Sequence, residues 1–157
     1  MRLSMIYKNI DISDANFLTL IFSNDEYQLY FAENETTALE WIERIQNYYL
    51  DKLSYIIYTD DNKPVGWIMY NLVNNICYMD IIVFLHSEKF KGYGKTVFND
   101  LINRHKDINK ICLDVQVRNS NAIKFYTQLG FVKQCEEVQP IGDSEELYYK
   151  MALDIHR

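Results

Sequence analysis

The stretch Tyr78-Met79-Asp80-Ile81-Ile82-Val83-Phe84-Leu85-His86-Ser87-Glu88-Lys89-Phe90-Lys91-Gly92-Tyr93-Gly94-Lys95 decides how the rest of this chain is read. Tyr78 to Leu85 is apolar or aromatic except at Asp80, which is strand composition, and a helix-like stretch begins at Lys95. Between the two, Gly92 and Gly94 permit a tight turn. A helix opened by such a turn points its first unpaired N–H groups and its positive dipole end at an anion. Strand, glycine turn and helix in this order predict a cradle for a phosphate or pyrophosphate. Glycines here also serve turn geometry alone, so the pair by itself leaves both readings open.

A second segment narrows the choice. About thirty residues downstream, after the strand-like run Ile111 to Val117, stands Asn119-Ser120-Asn121-Ala122-Ile123-Lys124-Phe125-Tyr126-Thr127-Gln128-Leu129-Gly130-Phe131. The two segments together resemble the GNAT superfamily of acyl-CoA-dependent N-acetyltransferases. Its first motif reads Arg/Gln-x-x-Gly-x-Gly/Ala after a strand, and its second reads Asn-x-x-Ala-x-x-x-Tyr-x-x-x-Gly-Phe. Asn119, Ala122, Tyr126, Gly130 and Phe131 complete the second in order and spacing. The first is present with departures: Lys89 stands where Arg or Gln is usual, Phe90 where glycine is frequent, and His86 where proline often stands. Lysine keeps the charge but loses the planar fork of arginine.

Working outward, Leu3 to Tyr7 reads as a first strand and Ser13 to Phe22 as a short helix with Asp11 and Ser13 as cap candidates. Thr36 to Leu50 reads as a helix capped by Thr36 or Thr37, with Leu39, Ile42, Ile45 and Tyr49 at helical spacing. Tyr55 to Thr59, Val65 to Leu72 and Ile76 to Leu85 are then predicted as an antiparallel meander, divided by Asp60 to Pro64 and by Asn74-Asn75. A helix (Gly94 to His105), a strand (Lys110 to Val117), a helix (Ser120 to Leu129) and two strands (Gly130 to Val138, Glu145 to Leu153) follow, with Pro140 to Asp143 turning the last hairpin. The crossover after the fourth strand makes it parallel to the fifth. The expected fold class is α/β (α+β): a GNAT-like mixed sheet of about seven strands with helices on both faces, in a single domain spanning 1–157.

Composition bounds the function. At 157 residues the chain suits one domain. No apolar run approaches a membrane span, and no basic-then-apolar leader opens the chain, so a cytoplasmic location is expected. Cys77, Cys112 and Cys135 lie in apolar, strand-like surroundings without metal-type spacing, which predicts buried, reduced thiols and no metal. A net charge of −6 disfavours nucleic acid and anionic membrane as partners and favours a cationic substrate. A homodimer is compatible with this reading.

The resemblance implies roles residue by residue. The fourth and fifth strands of the superfamily splay where their parallel pairing fails, and the pantetheine arm of acetyl-CoA lies along the fourth. It follows that Ile82, Val83 and Phe84 supply main-chain groups, that Phe90, Lys91, Gly92, Tyr93, Gly94 and Lys95 hold the pyrophosphate, and that Asn119 bonds the pantetheine. Tyr126 corresponds to the general acid that protonates the departing CoA thiolate, a step within reach of a phenol. The core-packing alternatives are ordinary strand residues at 82–84 and a helix tyrosine at 126.

A protonated amine cannot attack, so a base is also needed. Asp80 and Asp114 are acids set among apolar strand residues, where desolvation would raise a carboxyl pKa toward the working range of a base. Period-two alternation puts Asp80 on the face of Tyr78 and Ile82, and Asp114 on that of Cys112 and Gln116. Asp114 lies twelve residues before Tyr126, the spacing of a catalytic glutamate in the ribosomal-protein alanine acetyltransferases. Both aspartates also match substrate-facing aspartates in aminoglycoside 6'-N-acetyltransferases. A water relay and a solvated strand-end residue are the competing readings. His86 is poorly placed for the task.

The acceptor groove, by the same resemblance, draws on the first helices and the last hairpin. Asn24 to Glu35, Trp41 and Glu43 on one side, and Glu136, Glu137, Asp143, Glu145 and Glu146 on the other, combine acids with aromatics that suit an amine through charge and cation–π contact. The expected activity is transfer of an acetyl group from acetyl-CoA, as co-substrate, to a primary amine by direct attack. The acceptor would be a small cationic amine, such as a polyamine or aminoglycoside, or a peptide or protein amine. A non-catalytic acyl-CoA-binding module is the alternative.

Overall fold

The computed structural model describes residues 4–31 and 36–157. Seven strands form one mixed sheet in the order β1-β2-β3-β4-β5-β7-β6. They are β1 (Met5–Asn9), β2 (Leu53–Thr59), β3 (Pro64–Val73), β4 (Ile76–Phe84), β5 (Lys110–Gln116), β6 (Val132–Ile141) and β7 (Ser144–Asp154). The helices are α1 (Ala15–Ile21), α2 (Asp25–Tyr30), α3 (Ala38–Arg44), α4 (Tyr93–Arg104) and α5 (Ser120–Leu129). The chain divides into two compact units, Met1–Asn71 with Asp80–Arg104, and Leu72–Met79 with His105–Arg157.

In the first unit β2 pairs antiparallel with β1, from Met5↔Thr59 to Asn9↔Tyr55, and with β3, from Leu53↔Tyr70 to Tyr58↔Pro64. Asn62 turns between β2 and β3 with φ 67°, a conformation asparagine tolerates. The helices seal this sheet with an aromatic cluster. The Phe22 ring stacks on Trp41 at 5.3 Å, and Trp67 meets Trp41 edge-on at 6.0 Å. Trp67 reaches the core without leaving its N–H unpaired, because Nε1 donates to Ser54 Oγ at 2.9 Å. Each large apolar side chain buried here stabilises the fold by about 1.5–3 kcal/mol. On α4, Asp100 accepts from the Tyr7 hydroxyl at 2.6 Å, tying the helix to β1.

Local chemistry explains the helix boundaries. Asp11 caps a short 3₁₀ turn (Ile12–Asp14) that leads into α1, so helical structure begins one residue before the predicted Ser13. Thr37 caps α3 in a reciprocal capping box with Glu40. The α-helical part ends at Arg44, and Ile45–Tyr49 continues as a π-helical turn. Trp41 and Ile45 are the buried positions, whereas Leu39, expected on the inner face, is exposed. The helix α2 falls in a stretch read from sequence only as acidic and aromatic. Asn24 accepts from the Tyr27 N–H, and Asp25 and Glu26 sit in its first turn, where a helix dipole favours acids. Leu3 and Ala32 to Glu35 lie outside the described residues.

In the second unit β5 pairs antiparallel with β7, from Lys110↔Asp154 to Gln116↔Tyr148, and β7 pairs antiparallel with β6. The start of β4 pairs parallel with β5 at Ile76↔Lys110, Cys77↔Ile111 and Tyr78↔Cys112. That ladder ends at Tyr78, although β4 runs to Phe84 and β5 to Gln116. The last hairpin turns at Gly142-Asp143 alone, with Gly142 at φ 56°, while Pro140 and Ile141 belong to β6. Cys77 is buried and Cys112 half-buried, but Cys135 is exposed, against expectation. The cause is that β6 is an edge strand, exposed along nearly its whole length. All three cysteines are free thiols. Among the described residues, no helix is long and apolar enough to cross a membrane.

Gly66 on β3 lies close against β4. A Cβ there would lie 2.6 Å from the Val83 carbonyl oxygen and 2.7 Å from Phe84 Cδ1. The adjacent Leu85 N–H donates to the Val65 carbonyl at 2.8 Å, so the neighbouring backbone is held in place. Gly66→Ala is expected to lower unfolding free energy by about 1–3 kcal/mol in urea denaturation. An unchanged midpoint would show that β4 gives way freely at this point.

Candidate active site

The cradle loop lies in the first unit. The chain leaves β4 at Phe84, passes a 3₁₀ turn at His86–Glu88 and enters α4 at Tyr93. The left-handed backbone positions are Phe90 at φ 63° and Gly92 at φ 83°. Gly94, expected to share the turn, is already in the first turn of α4. Thr96 N–H donates to the Gly92 carbonyl at 3.4 Å, which leaves the preceding amides of the helix start without intrahelical acceptors. The turn falls in the stretch where the sequence expects one, but its most strained member, Phe90, was not legible there. A bulky residue in left-handed conformation costs roughly 1–2 kcal/mol.

Charged side chains brace the loop. Glu88 is covered, with its side chain 3% exposed, and it pairs with both Lys63 and Lys91, the latter at 2.9 Å. Those two ammonium groups hold its pKa below the usual carboxylate range. Glu88 was not picked out from the sequence, because its main partner lies twenty-five residues away in the β2–β3 turn. Lys89, expected to face phosphate, is 3.8 Å from Glu26 and lies over the Tyr27 ring at 5.1 Å, both on α2. His86 is exposed, with its ring 5.9 Å from that of Tyr27.

Along β4, Val83 is buried and Ile82 and Phe84 are half-buried, so side chains serve packing while the main chain carries the polar groups. Asp80 is exposed on this strand, as is Tyr78, with which alternation groups it, while Ile82 on the same face is half-buried. Desolvation raises its pKa above the ordinary aspartate value, and the Lys52 charge only partly opposes this.

In the second unit, α5 is built by its own motif. Asn119 Oδ1 accepts from the Ala122 N–H at 3.3 Å and caps the helix, leaving the Nδ2 donor outside the cap. Gly130, at φ 105°, ends it: the Phe131 N–H donates to the Tyr126 carbonyl and the Gly130 N–H to that of Thr127, each at 3.0 Å. This left-handed closure satisfies the last carbonyls and folds buried Phe131 back against Tyr126, with ring centroids 5.5 Å apart. The Gly-Phe pair thus fixes the tyrosine. Burial pushes the Tyr126 phenol well above its ordinary pKa.

Asp114, also on an outward face, is differently employed. It accepts from Gln139 Nε2 at 2.9 Å and pairs with Lys150 at 3.4 Å. Three of the hairpin acids are likewise engaged: Glu146 with Arg118, Glu136 with Lys133 and Glu137 with Lys150. A small depression of about 20 Å³ in the first unit, lined by Tyr7, Tyr55, Tyr70, Asp100 and Arg104 among others, includes none of the residues singled out for chemistry.

The strand–cradle–helix order and the capped tyrosine helix define an acyltransferase-type α/β protein, and comparison with known proteins agrees. The model of the acetyltransferase (GNAT) family matches residues 20–131. The chain belongs to this family. No curated protein matches it in sequence. Among solved structures it is similar to the spermidine N-acetyltransferase from Vibrio cholerae in complex with CoA and spermine, with a TM-score of 0.78 and 17% identity over 96% of this chain and 95% of that one. It is similar also to a GNAT-family acetyltransferase from Bacillus anthracis, with a TM-score of 0.80 and 14% identity over 98% and 97% of the two chains. At such identities the likeness establishes the fold.

Proposed function

We propose that this acetyltransferase-family protein transfers the acetyl group of acetyl-CoA to the primary amine of a small cationic molecule by direct attack. The observation that carries the reading is the construction around Tyr126, a half-buried tyrosine held by the Gly130 closure against Phe131. A phenol kept neutral retains its proton until an anion arrives, which is what the thiolate leaving group requires.

The cofactor is assigned to the main chain of Ile82, Val83 and Phe84, to the amides of Phe90 to Lys95, and to Asn119. The end of the β4–β5 ladder at Tyr78 supports the first assignment, and the unpaired amides before Thr96 support the second. The amine loses its proton to a base and its nitrogen attacks the thioester carbonyl. Collapse of the tetrahedral intermediate breaks the C–S bond, Tyr126 gives its proton to the thiolate, and the second proton released by the attacking nitrogen restores the phenol as the amide forms. Of the two aspartates, Asp80 is the better base, because its desolvated carboxylate gains from taking a proton. Asp114, engaged by Lys150 and Gln139, serves the acceptor side as a positioned anion.

The net charge of −6 supports a cationic acceptor rather than a nucleic-acid or anionic-membrane partner. Polyamines come first, since a protein of the same fold is solved with spermine; aminoglycosides and peptide or protein amines stand behind them. The diversion of Lys89 to Glu26 and Tyr27 favours a second reading, a non-catalytic acyl-CoA-binding module.

Release of free CoA thiol separates the two readings. Offered acetyl-CoA with amines of rising charge and with short peptides, the enzyme is expected to turn over best with polyamines, and Tyr126→Phe is expected to lower kcat by roughly ten- to ten-thousand-fold while CoA still binds. CoA binding without thiol release from any amine would establish the binding module. The pH profile tests the base. The kcat/KM of the wild type should fall as acid protonates Asp80, with an acidic limb displaced upward because its pKa is raised. Asp80→Asn should remove that limb and Asp114→Asn should preserve it; the opposite pattern would exchange the two roles.

A further inference from the structure

Four described residues other than glycine have positive φ, and three of them are asparagines in turns, where that conformation is tolerated. The fourth is Phe90. Its side chain is also the most exposed large apolar group described, at 88%. A phenylalanine with a strained backbone and a solvated ring gains little within its own chain: Lys89 Nζ stands 5.9 Å from the ring centroid, at the outer limit of a cation–π contact.

The backbone is nevertheless held in this conformation from both sides. Lys89, on one side, is drawn to Glu26 and to the face of Tyr27. Lys91, on the other, is paired with covered Glu88, which also engages Lys63. Gly92 then makes the next left-handed step into α4. Two anchored neighbours leave the Phe90 ring standing outward beside the amides of the cradle. Strain that the surroundings maintain, ending in an exposed flat ring, is a feature in search of a ligand.

We propose that Phe90 is the platform on which the adenine of coenzyme A stacks. The proposal rests on the cofactor reading above and extends it from the loop's amides to this side chain. Acetyl-CoA contains one aromatic group, the adenine, joined through ribose to the diphosphate assigned to those amides. Its pantetheine arm is a flexible chain whose amides seek main-chain partners rather than a ring. Stacking of a base on an aromatic side chain needs no hydrogen-bond partner, so the site demands only an exposed face at the right distance from the phosphates.

Titration calorimetry of the whole protein with CoA, with adenosine 3',5'-bisphosphate and with 4'-phosphopantetheine tests this. Phe90→Gly and Phe90→Ala are expected to weaken CoA and the bisphosphate by about 5- to 100-fold, to leave phosphopantetheine within about twofold, and to be rescued by Phe90→Trp. The glycine variant separates ring from backbone, since relief of the left-handed strain should raise its melting temperature by about 2–4 °C while nucleotide affinity falls. Unchanged nucleotide affinity in both variants overturns the proposal, as does an equal loss for phosphopantetheine, which would mean that the residue acts only through loop geometry. Wild-type protein that fails to bind CoA at all would instead remove the cofactor reading itself.

Discussion

Parallel pairing of β4 with β5 over Ile76–Tyr78 and Lys110–Cys112 is the constraint on which the candidate site depends. A parallel pair cannot be closed by a tight hairpin; the chain must cross over, and here α4 is the crossover. The start of α4 must therefore follow the carboxyl end of β4, which puts unpaired amides immediately after the strand. A ladder that stops at Tyr78 leaves the rest of β4 to be positioned from β3, where Gly66 permits contact with the Val83 main chain and Leu85 is bonded to Val65. The position of the helix start directly after β4 is thus a consequence of the topology.

The second constraint is a single left-handed residue. Gly130 ends α5 and returns Phe131 to the Tyr126 ring, so the backbone closure places the two rings together. An L-residue with a Cβ at φ 105° would be strained and would crowd Leu153, 3.2 Å away. Asn119 at the other end of the helix satisfies the Ala122 amide. The motif residues thus have structural roles, and these place the tyrosine before any chemistry is considered.

Much of this was legible in the sequence because its signals are local. The limits of α5 follow from Asn119 and Gly130, and the meander follows from β-branched runs divided by Asn and Asp turns. What escaped reading depends on partners distant in sequence or on geometry without a composition. The six residues of α2 are too few to show a period, although the Asn24 cap with Asp25 and Glu26 was a usable signal. The π-helical turn at Ile45–Tyr49 leaves no mark in an apolar pattern, and the edge position that exposes Cys135 is a property of the sheet, not of β6. Phe90 shows the limit most clearly: its departure from glycine was visible, but its left-handed backbone and outward ring required coordinates. Asp80 and Asp114 looked alike as strand acids, and only Lys150 and Gln139 tell them apart.

In the function proposed above, acetyl-CoA lies along the part of β4 beyond its pairing with β5, with its diphosphate on the start of α4. Backbone amide resonances of ¹⁵N-labelled protein, followed while CoA is titrated to saturation, test it most directly. The account predicts that shifts concentrate at Ile82 to Phe84, at Phe90 to Lys95 and at Asn119. Saturable binding that leaves these amides unmoved, with shifts gathered elsewhere in the chain, would contradict it.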